Sequence, residues 1–213
     1  MNTSKLQSLF TGAQLAWLIP LADEMPKWGI DTPIEQCSFL SQVGAESAGM
    51  TKFDENLDYS ASRLVQVWPS RFFIPSDDQP KHAKKRSAFE YAHNPQKLAE
   101  FCYGGRMGNG PEGSGDGWMF RGGGPGHTTG RKNYEASAKG IGYDLIAQPN
   151  HIRTVPLIGC RAVCFFWRAG GFDRLDDDND IRAESHKWNG GDTGREDRQR
   201  WFDRARAIAG IAA

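Results

Sequence analysis

A chain of 213 residues, 38% of them hydrophobic and including seven Trp and twelve Phe, can bury a sizeable core as one large domain or two close-packed lobes. Its 26 Lys and Arg balance 26 Asp and Glu, and the resulting formal net charge of zero leaves no electrostatic footprint for nucleic acid or an anionic membrane. No apolar stretch is long enough to span a bilayer.

Near the N-terminus, the apolar run Leu6 to Ile19 is interrupted by Gln7, Ser8, Thr11, Gly12 and Gln14, so no signal peptide is expected. Gln14 to Trp28 reads as an amphipathic helix with Leu15, Leu18, Ala22 and Met25 on one side and Pro20 as a point of kinking. Thr32-Pro33-Ile34-Glu35 then has the form of a helix start. Thr32 can cap, Pro33 suits the first position, and Glu35 can reach back to close a capping box. This helix is predicted to run to about Gly49. Cys37, Leu40, Val43 and Gly44 share its apolar arc, with Phe39 at the edge.

Glu46 projects within about 20° of Phe39 on the helical wheel, which places it at the rim of the buried face in the last turn. Partial burial and a helix C-terminus both favour the protonated form of a carboxyl, as a general acid requires. Glu55 follows nine residues later in a polar loop with Asp54, Asn56 and Asp58, where a carboxylate stays ionised. Two carboxylates in contrasting environments suit glycoside hydrolysis. The plainer reading of the same pair is a satisfied rim glutamate and a solvated loop acid.

Ser60 to Val67 predicts a short helix, and Ser70 to Arg86, with two prolines and several lysines, an exposed loop. Asn94-Pro95 opens another helix, to about Cys102. Tyr103 to Gly130 holds twelve glycines in 28 residues. There, Gly115-Asp116-Gly117 reads as a turn and Trp118 to Arg121 as a strand, giving a small antiparallel hairpin sheet where backbone can approach an extended ligand. Helices are predicted over Arg131 to Lys139 (closed by Gly140) and Thr154 to Ala169 (closed by Gly170-Gly171). The acidic run Asp176 to Asp180 reads as a helix N-terminus. The last helix, Arg195 to Ala209, carries a stripe of Trp201, Phe202, Ala205 and Ile208. Arg198 lies on that stripe, where it either finds an anionic partner or snorkels to water.

Cys37, Cys160 and Cys164 fall in apolar helical runs and read as small buried hydrophobes. No metal site or cofactor is expected, since no histidine lies near the Cys160/Cys164 pair in sequence. The Arg121 to Thr129 run fails the phosphate-loop pattern at its first glycine and its lysine. No His-Glu-x-x-His motif and no Gly-x-Ser-x-Gly elbow is present. A Cys/His pairing of Cys102 with His93 or His127 has no local signature behind it.

Phe39 to Gln42 leading to Glu46-Ser47, Glu55 to Ser60, Tyr103 to Asn109, Gly115 to Trp118, Phe120 to Gly122, Thr129-Gly130, Asn133-Tyr134, Asn189 to Gly191 and Asp197-Arg198 form an ordered set. By that set the chain, from about Trp17 to Phe202, resembles the family 19 glycoside hydrolases, in the compact form found in bacteriophage endolysins. The resemblance implies a mainly α, lysozyme-like fold of two helical lobes, with a small antiparallel hairpin sheet beside a cleft. It implies Glu46 as general acid, Glu55 as general base, and Thr129 as the hydroxyl that helps hold the attacking water. Tyr59, His127, Asn133 and Asn189 match sugar-binding positions, and Arg198 an arginine near the acid. The chain departs from the family's pattern at Gly123, Gly126 and His127, where an arginine, a branched apolar residue and a glutamine are usual. These departures predict a looser strand and one altered sugar contact.

The reading is therefore a single catalytic domain over residues 1–213 without a separate cell-wall-binding domain, monomeric, acting on peptidoglycan glycan strands. It would be made in the cytoplasm and reach the cell wall through a holin or a secretion system. A chitinase, a secreted antibacterial effector and a weakened glycan-binding relative are the other readings.

Overall fold

The computed structural model describes residues 1–75, 85–175 and 181–211. Helix α1 (Thr3–Leu9), hidden in the sequence by its polar interruptions, starts where the Asn2 side chain accepts the Lys5 N–H, and it buries Leu6 and Leu9. Helix α2 (Leu15–Lys27) turns Trp17, Leu18, Leu21 and Met25 inward. Its buried face is thus rotated from the predicted one, and Leu15 is exposed.

Helix α3 (Pro33–Glu46) begins as the sequence predicts, with the Thr32 hydroxyl accepting the Glu35 N–H at 3.2 Å. Glu35 does not complete a capping box. Its side chain turns into the core, accepts the Trp167 indole N–H at 3.0 Å and pairs with Arg168 at 3.2 Å. Burial pushes the Glu35 carboxyl up, against the pull of these two partners. The helix ends at Glu46, capped by Ser47, three residues short of Gly49.

Helix α4 (Ala61–Val67) is capped by Ser60. Strands β1 (Phe72–Phe73) and β2 (Arg86–Ser87) form a two-residue pair, Phe72 opposite Arg86. They fall in the stretch predicted to be an exposed loop, and Phe72 is buried. The pair is parallel, which corrects the predicted antiparallel hairpin sheet. The glycine-rich stretch contributes only isolated antiparallel bridges, Asp54 with Gly123 and Gly123 with Thr128.

Helix α5 (Pro95–Tyr103) is capped by Asn94, which accepts the Lys97 N–H. Trp118 does not enter a strand, because Asp116–Met119 forms the short helix α6. The cause is tertiary. Glu100 on α5 accepts the N–H groups of Gly113, Gly115 and Trp118, which draws that backbone into a turn. The remaining helices are α7 (Arg131–Ile141, closed by Gly142 rather than Gly140), α8 (His151–Thr154), α9 (Pro156–Gly170), α10 (Arg182–Asn189) and α11 (Arg195–Ala209, closed by Gly210). The acidic run Asp176 to Asp180 lies outside the described residues.

Apolar side chains gather in three clusters. The largest joins α1, α2, α3, α9 and α11 around Phe39, Trp167 and Phe202. The smaller lobe is built on Leu57, Leu64, Phe72, Tyr91 and Leu98. A third, around Phe120, Tyr134 and Ile152, packs α7 and α8 against α9. All four cysteines are free and buried. Burial pushes the Cys37 thiol up to about 11 and moves Cys102, Cys160 and Cys164 the same way.

Candidate active site

A cleft of about 350 Å³ is lined by Glu46, Glu55, Met107, Gly122, Gly126, His127, Thr128, Thr129, Asn133, Phe166, Trp188 and Asn189. Both carboxylates singled out in the sequence therefore face one space.

Glu46 reaches it from the end of α3. The packing of α3 on α11 is close enough that a Cβ on Gly44 would stand 2.8 Å from the Trp201 ring. This contact carries Arg198 to the acid. Arg198 is 4% exposed. One of its terminal nitrogens donates to Glu46 and the other to Gln42 Oε1 at 2.7 Å. Gln42 in turn leans on Ser41 and Ser185. Of the two outcomes open for Arg198, the anionic partner holds, and that partner is Glu46.

Glu55 sits on an extended segment that pairs with the glycine-rich stretch. Its N–H donates to Gly122 O at 3.0 Å, and Gly124 N–H donates to Phe53 O at 2.8 Å. The Glu55 carboxylate accepts the Gly122 N–H at 3.0 Å on Oε2 and the Tyr103 hydroxyl on Oε1. Burial, followed by the Glu55 charge, pushes the Tyr103 phenol far above its ordinary value, so it remains a donor. The neighbouring Asp54 is gripped from two sides, by Arg121 at 2.8 Å and Arg153 at 3.2 Å. Arg153 also donates to Arg121 O and to the Tyr134 hydroxyl.

Gly122 separates Glu55 from Thr129. A Cβ there would lie 3.2 Å from Glu55 Oε2 and 3.3 Å from Thr129 Oγ1. Thr129 Oγ1 donates to His127 O at 2.8 Å. His127 takes a left-handed backbone, φ 46°, and its Nε2 is sequestered in the cleft wall with no hydrogen-bond partner among the described residues. Asn133 donates to Thr129 O, and Asn189 to Thr193 O. Two sequence candidates do not line the cleft: Arg198, which stands behind Glu46, and Tyr59. Tyr59 packs edge-on to Trp68, 5.3 Å between ring centroids, in the smaller lobe.

At two of the departures in the glycine-rich run, neighbouring side chains fill the space that a larger residue would take. A Cβ on Gly123 would stand 2.7 Å from an Arg153 nitrogen and 2.8 Å from the Tyr134 hydroxyl, and one on Gly126 would stand 2.8 Å from Val163. These are places where other side chains already occupy the space. Sequence reasoning missed Tyr103 as a partner of Glu55, the Asp54 clamp, and the apolar wall of Met107, Phe166 and Trp188. Only the aromatic character of Tyr103 in a glycine-rich stretch hinted at the first. Among the described residues no group of three or more His, Cys, Asp or Glu could hold a metal ion.

A glycosyl hydrolase family 19 domain-containing protein of Haemophilus influenzae is 33% identical to this chain over 178 residues, covering 84% of this chain and 82% of the relative. No protein-family profile matches the chain. Among solved structures, chitinase C from Streptomyces griseus aligns with a TM-score of 0.64 at 14% identity, over 99% of this chain and 77% of that one. A bacterial family 19 chitinase aligns with a TM-score of 0.63 at 15% identity, over 99% and 95%. A class IV chitinase from Zea mays gives 0.57 at 13% identity, over 99% and 91%. At these identities the structural likeness is one of fold, a chitinase-like arrangement of helices around a cleft.

Proposed function

The chain belongs to glycoside hydrolase family 19, and from that premise we propose that it is an endolysin-type glycosidase that cuts the β-1,4 glycan strands of bacterial peptidoglycan. The observation that carries the reading is the pair Glu46 and Glu55 on one cleft, each held by a different kind of partner. Glu46 gives its proton to the glycosidic oxygen as the bond to the anomeric carbon breaks. Glu55 takes a proton from the water that attacks that carbon from the opposite face, with Thr129 helping to hold the water. The configuration inverts, and the two protons re-equilibrate with solvent after product leaves. Asn133 and Asn189 offer amide groups to sugar hydroxyls and N-acetyl groups, His127 lines the wall beside them, and Trp188 and Met107 offer apolar surface to ring faces.

The short loop of eight residues between Glu46 and Glu55 and the four unpaired cysteines support the peptidoglycan reading. A lysis enzyme and a secreted antibacterial effector would share this chemistry. The second reading is chitin, favoured by the solved neighbours, which are themselves chitinases.

Incubation with purified peptidoglycan and with soluble chitin, products read by mass spectrometry, tests both readings. Disaccharide-repeat fragments from peptidoglycan alone support the proposal, and chitin oligomers alone favour the second reading. No cleavage of either glycan, with retained binding, leaves a glycan-binding relative.

A further inference from the structure

We propose that Tyr103 is a positioning residue for the general base, fixing which Glu55 oxygen works; this rests on the role given to Glu55 above. The hydroxyl of Tyr103 donates to Glu55 Oε1, while Oε2 accepts, among the described residues, only the Gly122 N–H, and a Cβ built on Gly122 would stand 3.2 Å from it and 3.3 Å from Thr129 Oγ1. A carboxylate oxygen offers two lone pairs. Oε2 therefore keeps one for the attacking water, next to the Thr129 hydroxyl, and Oε1 is tied back to the smaller lobe.

Three features make Tyr103 suited to that task. It closes α5, whose Leu98, Ala99 and Cys102 are buried in the smaller lobe, so its ring is carried on a packed element. It stands 48 residues from Glu55 in sequence, and its bond joins that lobe to the catalytic loop. Its phenol is held in the protonated form by burial and by the facing carboxylate, so the bond persists wherever the base is charged. The Glu55 carboxylate, the Cys102 thiol and Tyr59 all act on the phenol in the same direction.

A structural role and a positioning role separate in kinetics. Tyr103→Phe is expected to lower kcat ~10-fold, because a base displaced by a fraction of an ångström loses its line to the water. KM should stay within about twofold. In the Glu55→Gln background, where the base is already gone, Tyr103→Phe should change the residual kcat by less than about twofold. Placing 3-fluorotyrosine at 103 keeps the O–H and is expected to keep kcat, which covers the case in which Tyr103→Phe weakens the fold. All four proteins are assayed on whichever glycan the unmodified chain cuts. An undiminished kcat in Tyr103→Phe, or equal losses in both backgrounds, overturns the proposal. Failure of the unmodified chain on both glycans overturns the functional reading instead, and is seen before any substitution is made.

Discussion

Arg198 and Glu46 are 152 residues apart in sequence and joined by a guanidinium–carboxylate hydrogen bond at the cleft. The arginine's other terminal nitrogen holds Gln42 at 2.7 Å, one turn before the acid on α3. The last helix therefore fixes the catalytic end of the third. Arg198→Ala would leave a mostly buried carboxylate and a buried amide without their donor. The expected loss is about 3 kcal/mol of stability, read as a lowered urea midpoint. An unchanged midpoint would mean that Glu46 finds equal support elsewhere.

Glu46→Gln should abolish hydrolysis while the protein stays folded. The amide keeps the side chain's shape and still accepts from Arg198, but it has no proton to give the leaving oxygen. The rate should fall at least ~100-fold, with circular dichroism unchanged. Turnover close to that of the unmodified chain would remove Glu46 from the acid's role.

Gly122→Ala introduces a methyl group into the narrow space between Glu55 Oε2 and Thr129 Oγ1, at 3.2 and 3.3 Å. Both oxygens must yield by a few tenths of an ångström. The fold should survive, since Gly122 does not use a left-handed backbone. We expect kcat to fall ~10-fold or more with a smaller change in KM. Equal activity would show that the two oxygens need no fixed spacing.

Asp116 gives a pH-dependent contribution. The Arg131 guanidinium, bonded to both of its oxygens at 2.7 and 2.8 Å, holds its carboxyl below the usual carboxylate range, assisted by the Gly110 N–H. A depressed folded-state value means that the stabilisation is fully present above the unfolded value of about 3.9 and disappears as pH falls through the native one. Asp116→Asn should therefore cost about 2 kcal/mol near neutral pH and progressively less below pH ~4, followed by urea unfolding across that range. A difference that does not shrink with acid would assign the effect to packing.

The product first released should have inverted configuration at the anomeric carbon, followed by NMR on a defined oligosaccharide. An inverting pair stands ~6.5–9.5 Å apart to admit a water. A retained configuration, or a glycosyl group trapped on Glu55, would replace the mechanism given above.

Much of the scaffold was legible because it is local. Thr32 and Pro33, Asn94 and Pro95, and Gly210 mark helix ends through caps that lie within a few residues of their partners. The stripe of α11 placed Arg198 on a buried face, where a charge calls for an anionic partner. What the sequence concealed is non-local. Trp118 belongs to an apolar, strand-like run, yet Glu100 bends its backbone into a helical turn from 18 residues away. Glu35 has the position of a capping-box residue but is drawn inward by Trp167, 132 residues on. Gly123 reads as a departure that loosens a strand, while Arg153 on α8 fills the space beside it.

The four sequestered thiols give the molecule an internal set of reporters. Cys37, Cys160 and Cys164 are buried in the larger cluster, and Cys102 in the smaller lobe. With each thiol shielded and its ionisation suppressed by burial, a thiol-alkylating reagent can act only during moments when the surrounding structure opens. The order in which the four sulfurs are labelled under mild denaturant, resolved by peptide mass, therefore records whether the lobes flanking the cleft loosen together or one ahead of the other.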